Sequence, residues 1–263
     1  MAWNGINGRR WALQLGLPLL AAAGMFTGLF YSGKYLGNRI RERAEPGLAF
    51  TSVECEPPPG MTAAEFLTET QYLAELPDWL DALQPETPAR IASALALHPW
   101  VEKVQQVRLL PHNRARVDLV YRTPTLVVKK FDRVVNGRGI LLPKWSRPNP
   151  LPVLTTEVQP PGVAPGKEWK DVRVQAAASL VAFLQPRLAS LGLEQAEVSS
   201  DKGVLTLATP KARLVWGLPP GHEGPEEARS DVKALRLPET GPLDGFEWDV
   251  RARAVLRKKP LTP

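Results

Sequence analysis

From residue 11 to residue 33 the chain carries no charged side chain: WALQLGLPLLAAAGMFTGLFYSG, 23 residues. At ~1.5 Å of rise per residue, a helix of that length matches the ~30 Å hydrocarbon core of a bilayer. Trp11 and Tyr31 stand near its ends, where amphipathic rings favour the interface. Pro18, Gly16, Gly24 and Gly28 are compatible with a span, because neighbouring groups can satisfy the backbone. The rival is a cleaved export signal. Its apolar region is normally only ~7–15 residues, and no clean small-residue cleavage site follows this one. The expectation is a single N-terminal transmembrane helix over residues 11–33. Residues 1–10 then form a short tail, and 34–47 a polar, basic juxtamembrane linker. Two basic side chains precede the run and four follow it closely. Taken literally, the positive-inside rule puts the C-terminal side in the cytoplasm, but long domains translocate largely regardless of flanking charge.

The formal net charge of +6 invites a nucleic-acid reading, so its distribution matters. Residues 1–45 hold +4 and residues 246–263 hold +3, which leaves −1 for the 200 residues between. A nucleic-acid-binding face is therefore not expected. The single cysteine, Cys55, excludes an intrachain disulfide and a Cys-rich zinc site. The 27 prolines imply short elements and stiff connections.

Local patterns predict a strand over 48–53, ended by Pro57-Pro58-Pro59-Gly60. A short helix follows, with Thr62 and Glu65 at capping-box spacing. A second helix spans 87–97, with Thr87 as cap and Pro88 at the first helical position. Residues 101–110 and 114–122 read as strands joined by a Pro111-His112-Asn113 turn. In the second strand Ala115, Val117, Leu119 and Tyr121 share a face, opposite Arg114, Arg116, Asp118 and Arg122. Residues 48–122 thus read β-α-α-β-β. Short strands are predicted at 126–131, 133–136 and 140–142, with residues 151–154 inside a Pro-rich loop. One long helix is predicted over 167–191, with Val172, Ala176, Leu180, Leu184, Leu188 and Leu191 as its apolar stripe and a bend at Pro186. Strands at 195–199, 204–208 and 213–216 and a helix at 223–235 follow. The final strand, 246–257, alternates Phe246, Trp248, Val250, Ala252, Ala254 and Leu256 with neighbours that are charged except for Val255. Strands in succession with one long helix packed against them make α+β the expected class.

The sequence holds no GxSxG, HExxH, CxxC or P-loop pattern. The GxG at Gly137–Gly139 lies between short strands and reads as a hairpin turn. His98 at a helix C-terminus is accounted for by the helix dipole. His112 and His222 have no ligand set near them, and Glu226-Glu227 reads as a solvated face. Cys55 has no sequence neighbour that would lower its pKa. No enzymatic activity and no cofactor are expected.

Several segments, in order, resemble the FtsQ/DivIB cell-division family. His98-Pro99-Trp100-Val101 with Val104, Val107 and Pro111 resembles the segment opening the second strand of its POTRA domain. Val117, Leu119, Tyr121-Arg122 and Pro124 resemble the strand that follows. Val134-Val135-Asn136, Gly139 and Leu142, then Leu151-Pro152-Val153-Leu154, and finally Trp248-Asp249-Val250-Arg251 resemble later segments. Departures are Asn136 in place of an aspartate, a longer Pro-rich stretch over 56–86, and a last strand without an Asp/Gly turn at Arg251-Ala252-Arg253.

The resemblance implies a POTRA domain over 48–124, an FtsQ-type β domain over 125–258 with the long helix, and a tail over 259–263. It implies a bitopic scaffold of the divisome at the cytoplasmic membrane, N-terminus cytoplasmic and C-terminal domains extracytoplasmic at the septum. Such a scaffold binds an FtsB/FtsL-like pair and helps localise and regulate septal cell-wall synthesis. By the same resemblance a partner strand adds to the terminal edge, at Trp248, Asp249, Val250, Arg251, Arg253, Val255 and Arg257. Strand addition is physically apt, since an open edge presents unpaired N–H and C=O groups. The charges there would equally keep a bare edge soluble. The alternatives are another POTRA-bearing envelope assembly or secretion factor and an exported enzyme with a cleaved signal. The first needs a barrel of alternating strands, which the last ~140 residues do not show.

Overall fold

The computed structural model describes residues 25, 31–32, 47–144, 150–239, 241–253 and 256–261. The expected transmembrane segment lies outside the described residues apart from Met25, Tyr31 and Ser32. Among the described residues no helix is long and apolar enough to cross a membrane. The expectation of an α+β chain led by a transmembrane helix is therefore corrected to a mixed α/β arrangement of sheets and helices, described below.

The predicted strand at 48–53 is interrupted. β1 (Leu48–Ala49) passes through a 3-10 turn, Phe50–Ser52, into β2 (Val53–Glu54). The turn carries the Phe50 ring fully inside, and the Ser52 hydroxyl closes it by donating to the Ala49 carbonyl at 2.7 Å. α1 (Ala63–Leu73) begins on a reciprocal capping box. The Thr62 hydroxyl accepts from the Glu65 amide at 3.2 Å, and the Glu65 carboxylate accepts from the Thr62 amide at 2.8 Å. β3 (Trp79–Leu80) pairs back on β1. α2 (Thr87–Leu97) has Pro88 in its first turn, and its cap position is Glu86 rather than Thr87. The Thr87 hydroxyl instead donates to the Asp81 carbonyl at 2.6 Å, tying the incoming loop to the helix.

β4 (Val101–Leu110) and β5 (Arg114–Tyr121) form an antiparallel pair, and β2 joins β5 in parallel, giving the order β2-β5-β4. The period-two pattern of β5 does what such a pattern dictates. Ala115 and Val117 are buried under α1 and α2 with Phe50, Phe66, Ile91 and Leu95. Arg114 and Arg116 face outward and pair with Glu54 of β2.

The second sheet has eight strands. β6 (Pro124–Val128), β7 (Arg133–Asn136) and β8 (Val153–Leu154) precede the helical segment. That segment is not one helix over 167–191. α3 (Val172–Leu184) starts late because Asp171 caps it, accepting from the Arg173 amide. Gln185–Arg187 around Pro186 is 3-10, and α4 (Leu188–Leu191) completes the run. Val174, Ala177, Leu180, Val181 and Leu184 are buried, whereas Val172 of the predicted stripe is 72% exposed. β9 (Glu197–Asp201), β10 (Val204–Ala208), β11 (Ala212–Gly217), α5 (Ser230–Arg236), β12 (Phe246–Asp249) and β13 (Arg257–Pro260) follow. The order is β13-β12-β11-β10-β9-β8-β6-β7.

The sheet is mixed rather than antiparallel. β8 runs parallel to both its neighbours, β6 and β9, and β11 runs parallel to β12, while the remaining pairs are antiparallel. α3 is the crossover between the parallel strands β8 and β9, which an antiparallel hairpin would not need. It covers one sheet face with a core that includes Trp169, Leu180, Leu184, Leu205, Leu214 and Trp216. A third cluster places Trp100, at the start of β4, against Val127, Val134 and Leu142. The two regions expected as separate domains thus lie within one compact unit, Leu48–Pro263.

Candidate partner-binding edge

The two ends of the eight-stranded sheet differ. The outer side of β7 is covered by its own chain. The Asn136 amide donates to the Ile140 carbonyl at 3.0 Å and the Leu142 amide to the Val134 carbonyl at 2.9 Å. At the other end β13 has all four residues exposed, and among the described residues no strand lies beyond it.

The sequence predicted one strand over 246–257, and the structure replaces it with a hairpin of two four-residue strands. Phe246, Glu247, Trp248 and Asp249 pair antiparallel with Pro260, Lys259, Lys258 and Arg257. The break comes at Val250, which is fully buried. Its amide donates to the Val215 carbonyl of β11, and the chain then turns onto the 227–228 segment. There the Ala228 amide donates to the Arg251 carbonyl at 2.7 Å, and Glu227 forms an isolated bridge with Ala252. From α5, the Arg236 guanidinium donates to the carbonyls of Val250, Ala252 and Arg253, gripping the diverted backbone. A planar fork of N–H groups suits carbonyls spread over residues 250, 252 and 253 in a way a single ammonium does not.

Beneath this turn lies a buried ion pair. The Lys233 ammonium of α5 sits 2.7 Å from Oε1 of Glu227, with side-chain exposures of 0% and 12%. The same carboxylate accepts from the Leu218 amide at 2.9 Å, and the ammonium lies 5.0 Å from the Trp216 ring centroid. Glu227 reaches both donors by crossing directly over Gly217, whose φ is +98°. The expected solvated Glu226-Glu227 pair is thus corrected at Glu227, while Glu226 is exposed. The helix begins at Ser230, so residue 227 is not helical and its carboxylate turns inward.

The residues singled out from the sequence are dispersed over this structure. Trp248 is half-buried in β12, its indole N–H donating to the Leu243 carbonyl at 3.2 Å. Asp249 accepts a two-pronged contact from Arg251, at 2.9 and 2.7 Å, which holds its carboxyl below the usual carboxylate range. Val250 is core. Arg253 is exposed, with its Nε–H donating to the Glu227 carbonyl at 3.4 Å. Arg257 lies on β13, and Val255 is outside the described residues. Glu227, Lys233 and Arg236 were not anticipated. The absence of a cap residue before position 223, against Ser230-Asp231 directly ahead of an apolar spacing, was the one local signal for the later helix start.

A cavity of about 420 Å³ opens beside this latch, lined by Gly217, Leu218, Glu227, Asp249, Arg251 and Arg257 among others. Burial pushes the Cys55 thiol up to about 11, far from a reactive thiolate. Among the described residues no group of three or more His, Cys, Asp or Glu side chains is placed to hold a metal ion. His98 is buried, and its Nδ1 accepts from the Trp100 amide at 3.3 Å. Comparison with protein-family models gives no match to the chain, and comparison with curated proteins gives no relative.

Proposed function

We propose that this protein is a scaffold of the bacterial division machinery. Its role is binding rather than catalysis: it captures an FtsB/FtsL-like pair and so helps localise and regulate septal cell-wall synthesis. Residence at the cytoplasmic membrane, with the N-terminus cytoplasmic and the sheets on the outer side, is part of the same proposal. The resemblance of ordered segments from His98 to Arg251 suggests it.

The observation that carries the binding role is the asymmetry of the larger sheet. One end is closed by the chain itself and the other ends in a short, fully exposed strand. Such an edge supports the addition of a partner strand through main-chain hydrogen bonds.

The test is co-purification of the tagged full chain from membranes of its host. Recovery of a coiled-coil pair of FtsB/FtsL type supports the proposal. A topology reporter fused after residue 263 that reads cytoplasmic sinks it.

A further inference from the structure

We propose that the outer edge of β12 is a receptor for a cationic extended segment of a partner protein, and that β13 is the chain's own stand-in for that segment. The inference rests on the reading that a partner strand is added at this end of the sheet, moves that addition from the free side of β13 to the side of β12 that β13 covers, and specifies the chemistry of the strand.

β12 presents two different faces to whatever lies alongside it. On one face are the rings of Phe246 and Trp248. On the other are the carboxylates of Glu247 and Asp249. The occupant meets the rings directly and places cations opposite the carboxylates, which also pair within the chain, Glu247 with Arg213 at 3.6 Å and Asp249 with Arg251 at 2.7 Å. The Lys258 ammonium sits 3.8 Å from the Phe246 ring centroid and 4.4 Å from that of Trp248. Lys259 stands directly opposite Glu247, and Arg257 directly opposite Asp249. An aromatic pair prefers a cation over its faces, and opposed unlike charges favour cross-strand pairing. The edge of β12 is therefore selective for consecutive cations in an extended chain.

β13 itself is held by little else. All four of its residues are exposed, so it places no side chain in the core. Pro260 ends it and has no N–H to give, which is tolerated only at an edge. The turn that precedes it is gripped at Val250, Ala252 and Arg253 by Arg236, upstream of the strand. Removal of β13 leaves that grip and the core intact. A segment tethered in this way competes with an external strand at a high effective concentration, so the partner must match its chemistry or exceed it.

The experiment uses three forms of the full chain, each with Cys55→Ala: unaltered, ended after Leu256, and locked by a disulfide between Glu247→Cys and Lys259→Cys. The probes are a labelled peptide of residues 256–262, LRKKPLT, and its charge-reversed form, LEEEPLT. Fluorescence anisotropy is expected to show saturable binding of the cationic peptide by the shortened chain. Binding by the unaltered chain should be at least about tenfold weaker, and absent in the locked form. Trp248→Ala in the shortened chain should weaken binding by about tenfold. Equal binding of both peptides overturns the proposal. So does a shortened chain that fails to fold, because β13 would then be part of the core. A concentration-dependent dimer of the unaltered chain that the lock abolishes also overturns it, since the edge would then serve exchange between copies. Peptide binding reads the edge alone, so it can succeed or fail independently of whether a division partner is recovered from membranes.

Discussion

Oε1 of Glu227 and Nζ of Lys233 meet at 2.7 Å in a place that water does not reach from the lysine side. A buried pair of this kind repays its desolvation only while both partners are present. Lys233→Met leaves a carboxylate stranded beside Gly217 and is expected to cost about 3–5 kcal/mol in denaturant unfolding. Adding Glu227→Gln to that variant removes the stranded charge and keeps an acceptor for the Leu218 amide. The double variant should recover most of the loss. Losses that simply add would show that the two side chains act independently.

Gly217 permits this geometry twice over. A Cβ there would fall inside the Glu227 carboxylate, and the backbone is in the left-handed region at φ +98°. Gly217→Ala is expected to cost more than the ~1 kcal/mol of backbone strain alone, since the carboxylate must also leave its two donors. In the Glu227→Ala background the same substitution should cost less, namely the strain and a shift of the Arg251 side chain, whose Cγ lies 2.9 Å from the added Cβ. Thermal melts of the four chains provide the comparison.

The His98 imidazole gives acid sensitivity. Burial lowers its pKa below the ordinary 6.5, while Glu69, 3.7 Å from Nε2, opposes the shift. The ring accepts the Trp100 amide through Nδ1, and a protonated ring could not do so. Above pH 6.5 the ring is neutral in folded and unfolded chains alike, so its contribution is fully present. As the pH falls from about 6.5 toward the lower folded value, the unfolded chain takes up the proton first and stability is lost. Glu69→Gln removes the opposing charge and should deepen that loss between pH 6.5 and 5. Unfolding free energies measured across this range would contradict the account if the wild-type and E69Q curves ran parallel.

Asp171 caps α3 and also holds the amide of Gln159 at 2.9 Å. Hydrogen bonds from Arg173 are the main reason its carboxyl lies at about 2, against 3.8 ordinarily. Its contribution is present above the unfolded value and disappears as pH falls through about 2. Asp171→Ala should cost about 1 kcal/mol at neutral pH from the lost cap. The difference from wild type should vanish in strong acid.

Arg236→Lys tests the grip on the diverted backbone. An ammonium presents its three N–H groups from a single nitrogen and cannot span the carbonyls of residues 250, 252 and 253 as the guanidinium fork does. The expected loss is about 1–3 kcal/mol, and amide exchange should rise at 250–253 and in β12 and β13 before it rises in β9 to β11. Exchange that rises uniformly would place the effect on the whole fold instead.

What could be read from the sequence was local. Thr62 and Glu65 declare a helix start through groups three residues apart, and Ala115 and Val117 declare a strand face through period two. Strand direction was not local. A run such as 126–128 is apolar whether its neighbour is parallel or antiparallel, so the mixed sheet stayed hidden. The alternation from Phe246 to Leu256 continues through a turn, because Val250 and Ala252 find their partners in Val215 and Glu227, more than twenty residues away. α3 is apolar nearly all round, so several stripes fitted it and the face that packs is Val174–Ala177–Val181 rather than one including Val172. Of the candidate edge, the charge was legible and the fold-back that occupies it was not.

Neighbours in the eight-stranded sheet are, with few exceptions, neighbours along the chain, from β7 at one side to β13 at the other. A chain emerging from the ribosome N-terminus first can therefore lay down each strand on one that has already arrived. The steps from β8 to β9 and from β11 to β12 must wait, because each joins parallel strands through an intervening helix that has to form and cross over first. The strand that buries nothing follows all the other described strands in the chain, so their pairing does not wait for it.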